Sequence, residues 1–212
     1  MPFDLAAHVD PLHTALVTQE VQQGVIGADA ALPALAEDAA RVGMLDHIGQ
    51  LVASARRAGV RVVHCTALRR PDGFGANHNA RIFSYMEKVP KPLHPGSEAA
   101  ALAPEVGARP EDPVLPRLHG VSPFQGTELD FLLRNEGVRT IVGVGVSVNV
   151  AIQNLCFDAV NAGYQFVVPR DAVAGTPSEY VDMVFEHTFP VVATVTTTQA
   201  LLACWDQPGS TA

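Results

Sequence analysis

The sequence predicts a three-layer α/β domain built on a mostly parallel six-stranded sheet, and three observations carry that prediction. Short β-branched apolar runs alternate with segments whose apolar residues recur at helical spacing, the order of a strand–helix–strand chain. The run Thr140–Val144 is almost continuously apolar, as a strand is when helices cover both faces of its sheet. A length of 212 residues suits one domain with a sizeable core, expected to span 1–212.

Taken in order, Thr14–Thr18 (TALVT) reads as the first strand. Met44, Leu45, Ile48, Leu51, Val52 and Ala55 then form the apolar stripe of a helix that Gly59 ends. Arg61–Thr66 (RVVHCT) is the second strand. The Pro- and Gly-rich stretch from Arg69 to Pro113 is long enough to be expected as a lid or contact surface. Val114–Leu118 is the third strand. Thr127 caps a helix carrying Leu129, Leu132 and Leu133 that stops before Gly137. After the fourth strand, at Thr140–Val144, Asn149–Ala162 is helical, and Gln165–Pro169 is the next strand. Ser178 opens a helix to about His187, Val191–Thr196 is the last strand, and Thr198 caps a short terminal helix.

Bulk properties exclude several classes. A net charge of −8 offers no basic patch for nucleic acid or for an anionic membrane surface. The longest apolar runs are strand-length. Met1–Asp10 shows no basic, apolar leader, and three scattered cysteines, Cys65, Cys156 and Cys204, fit a reducing cytoplasm. Among the eight histidines none stands at His-x-x-x-His spacing, so no metal is expected, and His64 reads as a hydrogen-bonded core residue. No cofactor is expected either. Gly143 and Gly145 begin a dinucleotide fingerprint, but Val148 occupies its third glycine position.

Ligands of open parallel sheets bind beyond the carboxyl ends of the strands, which singles out residues 19–23, 67–70, 117–124 and 145–151. Glu20 follows an apolar strand, where desolvation would suit it to acid or base work, or where it could simply favour a helix start. The turn from Gly145 to Ala151 can present backbone N–H groups to an oxyanion, or can be a plain connection capped by Ser147 or Asn149. Arg117 and His119 could bind an anion or shuttle a proton, or lie in a solvated loop.

Two segments together carry a resemblance. TALVTQEVQQG, and SPFQGTELDFLLRNEGVRTIVGVGVSVNVAIQNLCFDAVNAGYQFVVPRDAVAG from Ser122 to Gly175, resemble the isochorismatase-like (cysteine hydrolase) superfamily. The resemblance implies a six-stranded parallel sheet between helix layers, a small-molecule substrate, a homodimer or homotetramer, and commonly an Asp–Lys–Cys triad that cleaves amides. It places Glu20 at the aspartate, Leu118 at the lysine with Arg117 as the nearest cation, and Ala151 at the cysteine. It also assigns Gln22, Leu68, Arg81, His119, Phe124, Val146, Ser147 and Val150 to substrate binding, with a cis peptide near Val146–Ser147. A methyl group forms no thioester, and Cys156 lies over a helical turn from Ala151.

Three readings follow. The first is a cysteine-independent hydrolase of a small anionic metabolite with Glu20 as acid or base, cleaving an enol ether or, by activated water, an amide. The second is a non-catalytic relative that kept fold and pocket. The third is an amidohydrolase whose cysteine has been exchanged for alanine by design.

Overall fold

The computed structural model describes residues 4–206; residues 1–3 and 207–212, the ends of the expected 1–212 domain, lie outside it. Seven strands form one sheet: β1 (Thr14–Gln19), β2 (Arg61–Ala67), β3 (Val114–Arg117), β4 (Thr140–Val146), β5 (Gln165–Pro169), β6 (Val173–Ala174) and β7 (Thr194–Thr196). Their order is β3-β2-β1-β4-β5-β7, with the short β6 paired to the end of β4, and every pairing in the sheet is parallel. The seventh strand beyond the expected six is β6, whose two residues are too few to show an alternating pattern.

The helices are α1 (Leu5–His8), α2 (Gln23–Ile26), α3 (Pro33–Arg41), α4 (Met44–Ala58), α5 (Arg81–Met86), α6 (Leu129–Asn135), α7 (Gln153–Asn161), α8 (Ser178–Met183), α9 (Phe189–Val192) and α10 (Thr198–Trp205). Strand side chains alternate between two cores, as the two-residue period of a strand requires. Leu16, Val62 and Val142 meet Leu35, Ile48, Leu51 and Leu201, from α3, α4 and α10, on one face. On the other, Ala15, Val17, Val63 and Ile141 meet Leu129, Leu155 and Phe189, from α6, α7 and α9. Both cores are needed, which is why the strands read as unbroken apolar runs.

Three details depart from the expectation. The segment expected as a strand from Val191 stays helical to Val192, and β7 holds only Thr194–Thr196. The reason is tertiary: Phe189 is fully buried with its ring edge-on to Phe185 at 5.0 Å, which carries the helical path past Val191, itself 80% exposed. Thr197, not Thr198, caps α10, its hydroxyl accepting from Ala200 N–H at 3.3 Å. The helix expected from Asn149 begins instead as a π turn, Val148–Ile152, that runs into α7.

His64 is fully buried as a core residue, its Nδ1 2.8 Å from Thr18 Oγ1 and its Nε2 3.4 Å from Asp112 Oδ2. Among the described residues no helix is long and apolar enough to cross a membrane.

Candidate functional site

The chain leaves β1 toward β2 and β3 on one side, and leaves β4 toward β5 and β7 on the other. The crevice beyond the carboxyl ends of these two neighbours is where such a sheet binds ligands. Glu20 stands directly after β1, Ser147 directly after β4, and Arg117 ends β3.

Glu20 is held there by its backbone before its side chain is considered. It is the one non-glycine residue with positive φ among those described, at 53°, a conformation that side-chain-bearing residues adopt only when their surroundings enforce it. Its N–H donates to the Cys65 carbonyl at 2.9 Å and its carbonyl accepts from Gln22 N–H at 2.8 Å. The carboxylate Oε1 receives Gln19 Nε2 at 2.8 Å and the guanidinium Nη2 of Arg117. Glu20 is therefore a paired carboxylate and not a carboxyl isolated in an apolar setting. Arg117 is 7% exposed, gives its Nε to the Gly120 carbonyl at 3.2 Å, and keeps Nη1 buried without a partner. The cation of the site thus comes from Arg117, one residue before the position where spacing put the lysine.

The turn after β4 has its cis peptide at Val146–Ser147. Gly145, at φ 110°, lies so close to β1 that a Cβ would stand 2.3 Å from the Gln19 carbonyl oxygen, so only glycine lets the two strand ends converge. The Ser147 carbonyl accepts the N–H of Val150 at 3.2 Å and of Ile152 at 2.9 Å, closing the π turn. That turn brings the methyl of Ala151 to the wall of a cavity of about 140 Å³.

Glu20, Arg117, Ala151, Leu68, His119, Ser147 and Val150 all line this cavity, together with Leu118. Four expected binding residues do not. Gln22 is fully buried and acts as a clamp: its Nε2 donates to the carbonyls of Ala67 and Ala100, and its Oε1 accepts from Ala67 N–H at 2.8 Å. Val146 is fully buried in the sheet core. Phe124 packs on the opposite core with its ring 6.0 Å from Tyr164. Arg81 is exposed at the start of α5, while Ile82, Phe83 and Met86 from the same helix reach the cavity.

Arg69, within the expected segment 67–70, lines the cavity, but sequence reasoning missed the rest of the outer wall: Leu32 and Leu35 at α3, the α5 residues Ile82, Phe83 and Met86, Asn77 and Leu93. Asn77 ties this wall to the β3 loop, its Oδ1 accepting from Gly120 N–H at 2.6 Å. The stretch from Arg69 to Pro113 therefore does cover the site. Neither Cys65 nor Cys156 lines the cavity, and burial pushes both thiols up to about 12.

A model of the isochorismatase domain matches residues 14–200. The chain is 30% identical over 179 residues to ureidoacrylate amidohydrolase RutB of Methylorubrum extorquens, covering 78% of this chain and 72% of that protein. It is 27% identical over 198 residues to the uncharacterized isochorismatase family protein YecD of Escherichia coli O157:H7, covering 89% and 94%. Among solved structures, a cysteine hydrolase from Pseudomonas syringae pv. phaseolicola superposes with a TM-score of 0.82 at 21% identity, covering 94% and 95% of the two chains. N-carbamoylsarcosine amidase from Thermoplasma acidophilum superposes at 0.69 with 25% identity, covering 88% and 96%. With its parallel sheet and a family match across residues 14–200, the chain belongs to the isochorismatase family of hydrolases.

Proposed function

We propose that the protein hydrolyses an amide-type C–N bond of a small metabolite by water activated at Glu20, without a covalent enzyme intermediate. The observation that carries this reading is the Glu20–Arg117 pair on the cavity wall, shared with a methyl group, Ala151, where the family's nucleophile would stand. Glu20 Oε1 accepts hydrogen bonds from Gln19 Nε2 and Arg117 Nη2, so the side chain is held as an acceptor facing the cavity, the arrangement a base needs. That suits a base for water better than an acid for an enol ether, so the amide route is preferred of the two.

In this reading a water beside Glu20 gives up a proton to the carboxylate as its oxygen adds to the substrate carbonyl. The turn after β4 faces the oxyanion. The C–N bond then breaks, the proton on Glu20 passes to the leaving nitrogen, and acid and amine depart. Arg117 orients Glu20 throughout. The amidohydrolase and amidase names of the relatives support the bond type, and Ala151 leaves room for water where a thiol would sit. Replacing Glu20 by Gln keeps the shape and removes the base. Turnover of a verified amide should fall about 100-fold or more; unchanged turnover would defeat the mechanism.

A second reading, a binding protein that has retired its chemistry, is favoured by the same methyl group. It predicts a ligand that binds and is recovered unchanged.

A further inference from the structure

We infer that the cavity accepts an uncharged substrate with an apolar body, a neutral alkyl or aryl amide, and rejects one that carries a carboxylate. This rests on the reading of Glu20 as the hydrolytic base, because it assigns the substrate's polar end to that carboxylate.

The charged groups on the wall are Glu20, Arg69 and Arg117, with His119 as the remaining titratable one. Each guanidinium already has an anion. Arg117 gives Nη2 to Glu20 and Nε to the Gly120 carbonyl, and its Nη1 is buried without a hydrogen-bond partner. Arg69 gives Nη2 to Glu87 Oε1 at 2.9 Å. An incoming carboxylate would thus meet the negative charge of Glu20 and no unpaired guanidinium. It would lose its hydration with no cation left free to neutralise it, a costly way to bury a charge.

The opposite wall answers a different chemistry. Leu35 from α3, Ile82, Phe83 and Met86 from α5, and Leu93 from the covering stretch line it. Glu20, Arg117, His119 and Ser147 bring polar groups to the strand ends, while α3, α5 and the covering stretch bring these apolar side chains, a distribution that suits a molecule with one polar end. The aliphatic and aromatic surface would hold the acyl body while the amide meets Glu20.

A matched pair of probes tests this: glutaramate, and 5-methylhexanamide, whose isopropyl group replaces the terminal carboxylate atom for atom. Affinities are measured by calorimetry at pH 8, where an ordinary imidazole is uncharged, and released ammonia is read in the same samples. The neutral amide should bind about tenfold tighter or more, from apolar burial on one side and an unpaired charge on the other. In Glu87→Gln, which frees Arg69 at a half-exposed position, that preference should shrink severalfold with 5-methylhexanamide affinity unchanged.

Equal or tighter binding of glutaramate overturns the inference. So does absence of binding by both probes, or an unchanged preference in Glu87→Gln. Tight binding of the neutral amide with no Glu20-dependent ammonia supports it while defeating the hydrolytic reading. Glu20-dependent ammonia from glutaramate, with no preference for the neutral probe, does the reverse.

Discussion

Ala151 and Glu20 both stand on the cavity wall, and in the proposed mechanism these two residues set the chemistry. Ala151 is 4% exposed and lines the cavity, so placing a thiol there should create a reactive cysteine in a protein that otherwise has poorly reactive ones. Burial pushes Cys65 and Cys156 up to about 12 and raises Cys204 as well, so iodoacetamide at pH 8 should label none of the three quickly. Ala151→Cys should add one rapidly labelled site, read by intact-mass spectrometry; labelling no faster than in the parent would mean that the position does not face the cavity. Both residues were visible in the sequence, because each stands where a strand end and a motif coincide. Their partnership was not. Arg117 could be placed near the site by spacing, but only the fold shows its guanidinium committed to Glu20.

At the scale of elements, two polar groups tie the strand ends together. Gln22 joins the loop after β1 to Ala67 at the end of β2 and to Ala100 of the covering stretch. Replacing it by Leu strands three buried backbone groups, which should cost about 2–4 kcal/mol, seen as a lower urea midpoint; a midpoint within experimental error of the parent would contradict the clamp. The His64 contacts link β1, β2 and Asp112 just before β3. Burial holds this imidazole below its ordinary value of 6.5, with Asp112 offsetting part of that effect. The unfolded chain therefore takes up the proton first as pH falls, so the contribution to stability is full above pH 6.5 and is lost on acidification below it. Thermal midpoints from pH 7.5 to 5 should fall, and the slope should be shallower in His64→Gln; parallel slopes would exclude His64 as the cause.

The main helices were legible from their apolar period and most strands from their short, nearly unbroken apolar runs. The last expected strand was legible in part, because its first residues stay helical. The stretch from Arg69 to Pro113 was legible only as a cover. Its Pro and Gly residues mask the six-residue α5, and the apolar side chains it lends to the cavity have no period to betray them. Gln22 illustrates the same limit: its type and place suggested a ligand contact, whereas the backbone groups it satisfies are 45 and 78 residues away in sequence.

At the scale of the whole molecule, a parallel sheet with both faces covered places its reactive groups at one edge and leaves the outer helices to meet solvent or another protein. Phe131 on α6 and Val191 on α9 are 71% and 80% exposed, and self-association into a homodimer or homotetramer is the expected outcome. Sedimentation velocity at micromolar concentration should show it, and a monomer throughout would refute it. Function at this scale reduces to one question, whether a site with alanine at position 151 turns over its ligand. The direct measurement is amide hydrolysis in ¹⁸O-labelled water, with the parent protein and Glu20→Gln run in parallel and 5-methylhexanamide in the panel. Water activated by Glu20 predicts an acid product carrying one heavy oxygen, with a rate about 100-fold lower or more in the variant. Equal rates in the two proteins, or an amide that binds and returns unlabelled and intact, would contradict the assignment of Glu20 as the hydrolytic base.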